Sequence, residues 1–477
     1  MNEVLVDNFL ALTAIPRPTF HEEAVSRYLC ERALAHGLSA HRDGVGNVIV
    51  DRAAAPGFEN APRTILQSHM DMVAVAKPGS GWNGETDPVT AVREGDTLRA
   101  ECSSLGADDG AGIAVIEAIM EDEALRCGAL RAIFTVDEEA TMSGANGLNP
   151  EELDGKYLLN LDWEEKGVLC CSSAGSDLIR CSFPYKKSPA PGEAYTVSLT
   201  GLLGGHSGMD IHKGRANALR VLGTVFFELC EQGFPLRFAS FEGGIASNAI
   251  PAEAEAVVIV PEGEGERFME LLSTRFAVQE EKYAAAGETM TLTVLAAEGQ
   301  FDAIGEEDSS NLCRFLKSAP IGVFGVTPVD ENVVESSANL SELHFTERGV
   351  VADVLQRSCV KSYMSKMRTE YGYRALRSGG TMDHKETHAL WPGQEQSALT
   401  ERCRRVYREL TGEELKVTAV HAGLECGVWA RKNPELDMVS IGMEVKNIHS
   451  PAETLELGSM ELLYNMVLTL IKEIAEE

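Results

Sequence analysis

Residues 63 to 73 read Arg-Thr-Ile-Leu-Gln-Ser-His-Met-Asp-Met-Val, a short apolar run that ends abruptly in two ligand-type side chains, His69 and Asp71. The run reads as a buried strand. In an open, mainly parallel sheet, ligands gather beyond the carboxyl ends of the strands, so the residues just past such a run are placed for chemistry. Side chains two apart on a strand share a face. His69 can then bind a metal through one ring nitrogen while Asp71 takes the proton on the other, which fixes the tautomer. A lone His-x-Asp is more often a polar strand end with a satisfied histidine. What tips the balance is that the same punctuation recurs downstream.

Arg131-Ala-Ile-Phe-Thr-Val-Asp-Glu-Glu139 and Lys156-Tyr-Leu-Leu-Asn-Leu-Asp162 are further apolar runs that end in acids. Three adjacent carboxylates, Asp137, Glu138 and Glu139, repel one another unless a cation compensates. Gly106-Ala-Asp-Asp-Gly-Ala-Gly112 leads into the apolar Ile113 to Met120, placing Asp108 and Asp109 at the start of a buried helix, where acids also serve as ordinary cap and dipole partners. Asn447-Ile-His-Ser-Pro451 contributes a last ligand candidate, His449.

A chain of 477 residues exceeds one ordinary core and points to two or three domains. Hydrophobic content of 44% and charged content of 24% are those of a soluble globular protein. The net charge of -31 argues against nucleic acid or an anionic membrane as partner, since both require clustered Lys and Arg. The 11 cysteines are scattered, with no Cys-x-x-Cys pair, so neither a zinc-thiolate site nor a disulfide framework is expected, and a reducing cytoplasm fits best. Neither a signal peptide nor a membrane span is read from the sequence.

Along the chain, Val4, Leu5, Phe9 and Leu12 predict a first helix, and Thr19-Phe-His-Glu22 has the shape of a capping box opening a second. From about 186 to 385 the texture changes to alternating strand-like runs between helices, which reads as an α+β domain inserted into the first. The expected division is residues 1–185, first part of a catalytic domain; 186–385, an inserted lid; and 386–477, the second part. The fold class is α/β, a mainly parallel sheet flanked by helices and carrying the α+β lid. Two stretches of the insertion stand out: Gly204-Gly-His-Ser-Gly208, read as a loop opening a helix, and Ser247-Asn-Ala-Ile-Pro251. Such a loop serves as an anion or oxyanion site or as a plain turn.

His69, Asp108, Glu138, Glu139, Asp162 and His449 mix imidazole with carboxylate and include no thiolate, which suits two zinc ions of a hydrolase better than a structural zinc site. Two such metals share a bridging carboxylate and a water whose pKa they lower toward about 7. One further carboxylate must stay free to carry the proton, and the pair Glu138-Glu139 can supply both a base and a ligand.

At this point the sequence resembles the co-catalytic zinc exopeptidases that include aminoacylase, glutamate carboxypeptidase and tripeptidase. The matching stretches are Ile15-Pro-Arg-Pro with His21-Glu-Glu23, Gln67 to Val73, Leu105 to Gly110, Thr135 to Glu139, Leu159 to Asp162, Gly204 to Gly208, His421-Ala-Gly-Leu-Glu-Cys-Gly427 and His449-Ser-Pro451. The resemblance implies that Asp108 bridges the metals, that His69 and Asp162 complete one ion, and that Glu139 and His449 complete the other. It makes Glu138 the general base, Asp71 the partner of His69, His206 the oxyanion donor from the lid and Asn248 a substrate contact. It also implies a cis peptide between Asp108 and Asp109, two zinc ions with cobalt or manganese as alternatives, and a cytoplasmic homodimer. The implied activity is hydrolysis of unblocked dipeptides of broad, Xaa-His type by a metal-bridged water. Alternatives are a tripeptidase or an N-acyl amino acid hydrolase, and, from another class, a non-catalytic binding module. Asp109 departs from the Asn frequent in these dipeptidases, and Ser378 to His388 matches no family motif; His384 and His388 are expected to face solvent.

Overall fold

Thr64–His69 lies near the middle of an eight-stranded sheet and is buried at all six positions. The order across that sheet is Ser39–Arg42, Val48–Arg52, Leu130–Thr135, Thr64–His69, Tyr157–Trp163, Asp437–Gly442, Val168–Ser173, Lys416–Val420. The computed structural model describes residues 2–394 and 397–477. They form two units, one of Met1–Ser173, Trp391–Ala419 and Leu424–Glu477, the other of Ala174–Leu390 and Val420–Gly423.

The first unit is a mixed sheet, not a mainly parallel one. Its four central strands, from Leu130–Thr135 to Asp437–Gly442, run parallel, whereas Val48–Arg52, Ser39–Arg42 and Val168–Ser173 join antiparallel. Two short connections account for part of this. Parallel neighbours need a crossover of a dozen or more residues, while antiparallel ones accept a tight turn. Only residues 43–47 separate the first two strands, and Asp43 Oδ1 closes that turn by accepting from the N–H groups of Val45, Gly46 and Asn47. Residues 164–167 are likewise too few for a crossover.

Helix Ala107–Glu121 is buried from Ala107 to Met120, as its apolar sequence requires of a helix packed on all sides. Glu3–Thr13 packs on it, with Asn8 Nδ2 donating to Ala114 O. The expected capping box does not form. The second helix, Glu23–Ala35, has Glu22 as its cap residue without a side-chain cap bond. Thr19 Oγ1 instead donates to Asp71, and Glu22 accepts from the N–H groups of Phe20 and Asp137, so both polar groups serve neighbouring segments and not the helix end.

The second unit is α+β: a nine-stranded sheet whose pairings are antiparallel, with helices Ala218–Glu231, Gly265–Tyr283 and Glu306–Ser318 sharing a core that contains Phe226, Phe238, Phe241 and Phe268. Gly204 to Gly208 does not open a helix. Gly205–His206 is a short strand paired with Ala249–Ile250, and the helix begins at Ala218, capped by Asn217. Ser378 to His388 ends in the strand Thr381–His388, where His384 is exposed but His388 is half-buried against Ser176. None of the eleven cysteines is in a disulfide. Among the described residues no helix is long and apolar enough to cross a membrane.

Candidate active site

The parallel strands of the first unit end together, and their sequence endings meet. His69, 1% exposed at the end of its strand, places Nε2 3.1 Å from Asp108 Oδ1 and 3.4 Å from Asp162 Oδ1, and Nδ1 3.3 Å from Asp71 Oδ1. Asp108 stands at a break in its helix, where Asp108 and Asp109 leave helical geometry across a cis peptide. Its other oxygen, Oδ2, is 3.2 Å from His449 Nε2, which lies 3.0 Å from Glu139 Oε1. Asp108 thus faces one histidine with each oxygen. Asp71 also accepts from the backbone N–H groups of Glu138 and Glu139, so it orients His69 and the two glutamates together.

Three groups bring ligand atoms within 4.8 Å of one another: His69 with Asp109 and Asp162; His69 with Glu138 and Glu139; and Asp108 with Glu139 and His449. The charge pattern demands a cation. Burial raises the carboxyl groups of Asp109, Glu138 and Asp162 well above the usual range, and pushes Glu164 up to about 7. Burial acts the same way on Asp108, but hydrogen bonds from His449 and His69 outweigh it and hold Asp108 low. The same contact with Asp108 and Glu139 raises His449 to about 10. Among the described residues no Lys or Arg forms an ion pair with Asp108, Asp109, Glu138, Glu139 or Asp162. Buried acids without a Lys or Arg ion pair, in a donor set of oxygen and imidazole nitrogen, fit divalent zinc-type ions.

In the second unit His206 and Asn248 are neighbours, since His206 pairs with Ala249 and Asn248 O accepts from Ser207 N. His206 Nδ1 accepts from the N–H groups of Gly208 and Met209 at 3.2 and 3.1 Å. Burial and then the charge of Arg357 lower its pKa, so the ring is neutral with its proton on Nε2. It is a ready hydrogen-bond donor.

A family model described as peptidase family M20/M25/M40 matches residues 65–473. The chain belongs to that family. It is 31% identical to the cytosol non-specific dipeptidase of Escherichia coli (strain K12) over 475 residues, 98% of this chain and 97% of that protein. The aminoacylhistidine dipeptidase from Vibrio alginolyticus superposes with a TM-score of 0.90 at 30% identity, over 99% of this chain and 96% of that one. A tripeptidase from Staphylococcus aureus, at 16% identity and a TM-score of 0.57 over 100% of this chain and 99% of that one, shares the fold. The M20 chain is an enzyme of a peptidase family.

Sequence reading of this M20 enzyme missed two charged groups. Glu164, just past Asp162, adds a carboxylate to the acidic crevice. Arg357 is 5% exposed within strand Gly349–Ser358, its Nε buried without a partner, and among the described residues nothing hydrogen-bonds or ion-pairs with its guanidinium. Register places Ser337, Arg357, Ser176 and His388 in one row across four strands. Directly paired residues face the same side of a sheet. His421 Nε2 meets Ser337 Oγ at 2.6 Å and His388 Nδ1 meets Ser176 Oγ at 2.8 Å. Burial and then Arg357 lower both histidines, His421 to about 3, so they are neutral. The signal in sequence was an arginine within a strand, which carries no partner information.

Proposed function

We propose that this M20 enzyme hydrolyses unblocked dipeptides, of broad Xaa-His type, in the cytoplasm. Two full-length relatives at 31% and 30% identity that carry dipeptidase names support the substrate class. The observation that carries the chemistry is Asp108, whose two oxygens face His69 and His449 at 3.1 and 3.2 Å, the arrangement of a carboxylate shared by two metals. In this reading His69 and Asp162 would hold one zinc ion and Glu139 and His449 the other, with Asp108 serving both; cobalt or manganese are alternatives. Bound there, such ions would polarise the scissile carbonyl and make water nucleophilic near neutral pH.

The chain's own groups do the rest. Glu138 takes the proton from the attacking water and returns it to the leaving amine. Asp71 keeps the His69 tautomer and the Glu138 backbone in place. His206 donates Nε2–H to the developing oxyanion, with Asn248 as a further contact, and the insertion at 186–385 serves as the lid of a homodimeric enzyme. The two ends of a dipeptide carry opposite charges. Within the first unit the acids Asp109, Asp162 and Glu164 suit an α-amino group; within the second unit the unpaired Arg357, flanked by neutral hydrogen-bonding groups, suits a carboxylate.

The test compares kcat/KM for Ala-His, its N-acetylated form and a tripeptide extended at the C-terminus. Removing the amine leaves buried acids unpaired, which costs on the order of 2 to 5 kcal/mol, or about 30-fold to several thousand-fold in rate. Equal cleavage of the acetylated peptide would make the enzyme an N-acyl amino acid hydrolase, and preference for the longer peptide a tripeptidase.

A further inference from the structure

Two buried charged side chains that the reaction does not use, Arg17 and Glu453, are each 2% exposed. Glu453 Oε2 accepts from the N–H groups of Leu105 and Gly106 at 2.7 and 2.9 Å, and Oε1 from those of Ala107 and Asp108 at 2.7 and 3.3 Å. Arg17 Nη1 donates to the carbonyls of Met70 and Asp71 at 2.8 and 3.0 Å, and Nη2 to that of Gly106. Every one of these bonds ends on backbone beside a candidate ligand. Glu453 itself sits four residues after His449 in a stiff turn: Glu453 N donates to Ser450 O, Ser450 Oγ to Asn447 O, and both Asn447 and His449 hold positive φ. Residues held in that region persist only where their surroundings fix them.

The two side chains therefore link three ligand-bearing segments in series. Glu453 ties the His449 turn to the Asp108 turn, and Arg17 ties the Asp108 turn to the strand end that carries His69 and Asp71. Gly106 sits between them, its N–H on Glu453 and its carbonyl on Arg17. It has no room for a side chain, since a Cβ there would lie 2.8 Å from Arg17 Nη2 and 2.7 Å from Met72 Sδ. We propose that Arg17 and Glu453 are positioning residues that fix the spacing of His69, Asp108 and His449 before metal binds, so that the second ion enters a preformed site. The proposal rests on the two-metal reading above.

Ligand supports of this kind typically change metal affinity 10- to 100-fold when removed. Chelator-stripped full-length protein is titrated with cobalt(II), following heat and visible absorption, for wild type, Glu453→Gln and Arg17→Lys. Glutamine keeps the size of Glu453 but presents an amide donor to two of the four N–H groups; lysine keeps the charge of Arg17 but loses its fork. The expected result for Glu453→Gln is one cobalt bound as in wild type and one weakened 10- to 100-fold, with an altered cobalt spectrum, whatever the metal-free unfolding midpoint loses to the unpaired N–H groups. Arg17→Lys should also alter the cobalt spectrum. Variants that bind two ions with wild-type affinity and spectrum overturn the proposal. So does equal weakening of both ions in step with a lowered metal-free midpoint, which would make the pair simple scaffolding. Wild type that takes up fewer than two ions refutes the two-metal reading, and the proposal with it.

Discussion

Replacing Arg357 by methionine separates what the fold needs from what the substrate needs. The guanidinium is buried, and burial alone lowers its pKa to about 10. Keeping the cation inside the second unit therefore costs on the order of a few kcal/mol. For a cation with a depressed folded pKa, the cost is present at every pH below about 10 and is relieved only above it. A methionine of similar reach avoids this cost and is expected to stabilise the substrate-free protein by about 1 to 3 kcal/mol. At about 2 to 4 °C per kcal/mol, the second unit's unfolding midpoint should rise by several degrees. Function should move the other way. A desolvated charge pair contributes about 2 to 5 kcal/mol, so kcat/KM for Ala-His should fall about 30-fold to several thousand-fold, while its C-terminal amide, which has no carboxylate to lose, should change little. Calorimetry of the metal-loaded protein and the acid-to-amide rate ratio read the two effects separately. A variant that is less stable and keeps the wild-type ratio would show that Arg357 supports the fold and does not recognise a carboxylate.

The adjacent glutamates should divide their roles: Glu138→Ala loses turnover by several orders of magnitude and keeps two metals by elemental analysis, whereas Glu139→Ala also loses metal. Identical metal content and rate in the two would refute the division. Away from the site, burial raises Glu117 to about 8, because Arg32, 3.5 Å away, is already held by both oxygens of Glu121. With a folded pKa above the unfolded one, the stability that Glu117 confers is complete below about 4.5 and lost as pH rises through 8. Glu117→Gln should therefore match wild type near pH 4 and exceed it by a few kcal/mol at pH 9 in denaturant unfolding; a gap that does not grow with pH would place the ionised carboxylate in a solvated setting.

The gathering of acids and histidines in the first unit was legible because it is written at strand ends. An apolar run that stops at His69, at Glu138-Glu139 or at Asp162 declares both the strand and the group it delivers, and the parallel centre of the sheet brings those ends together. The antiparallel flanks were missed because periodicity does not report strand direction; only the short links at 43–47 and 164–167 do. The capping box at Thr19 to Glu22 failed for a related reason. Its two polar groups found partners in Asp71 and Asp137, remote in sequence, and tertiary hydrogen bonds overrode a local pattern.

Arg357 and the acidic crevice show where reading from sequence stops and why. Buried charges are normally paired inside the fold, and a partner in sequence is then at least a candidate. Arg180 and Asp353 illustrate the ordinary case, with Nε–Oδ1 at 2.9 Å and Nη2–Oδ2 at 2.7 Å across neighbouring strands. Arg357, four residues along the same strand as Asp353, has no such partner, and the acids around Asp108 have no Lys or Arg. Each unit thus keeps charge of one sign that its own side chains do not neutralise. Such an arrangement persists against its desolvation cost only if something outside the chain supplies the opposite charge: cations for the carboxylates, an anion for the guanidinium. Within the first unit a free α-amino group is one such cation, and that is why the proposed reading favours an unblocked dipeptide over an N-acylated substrate, whose amine is gone.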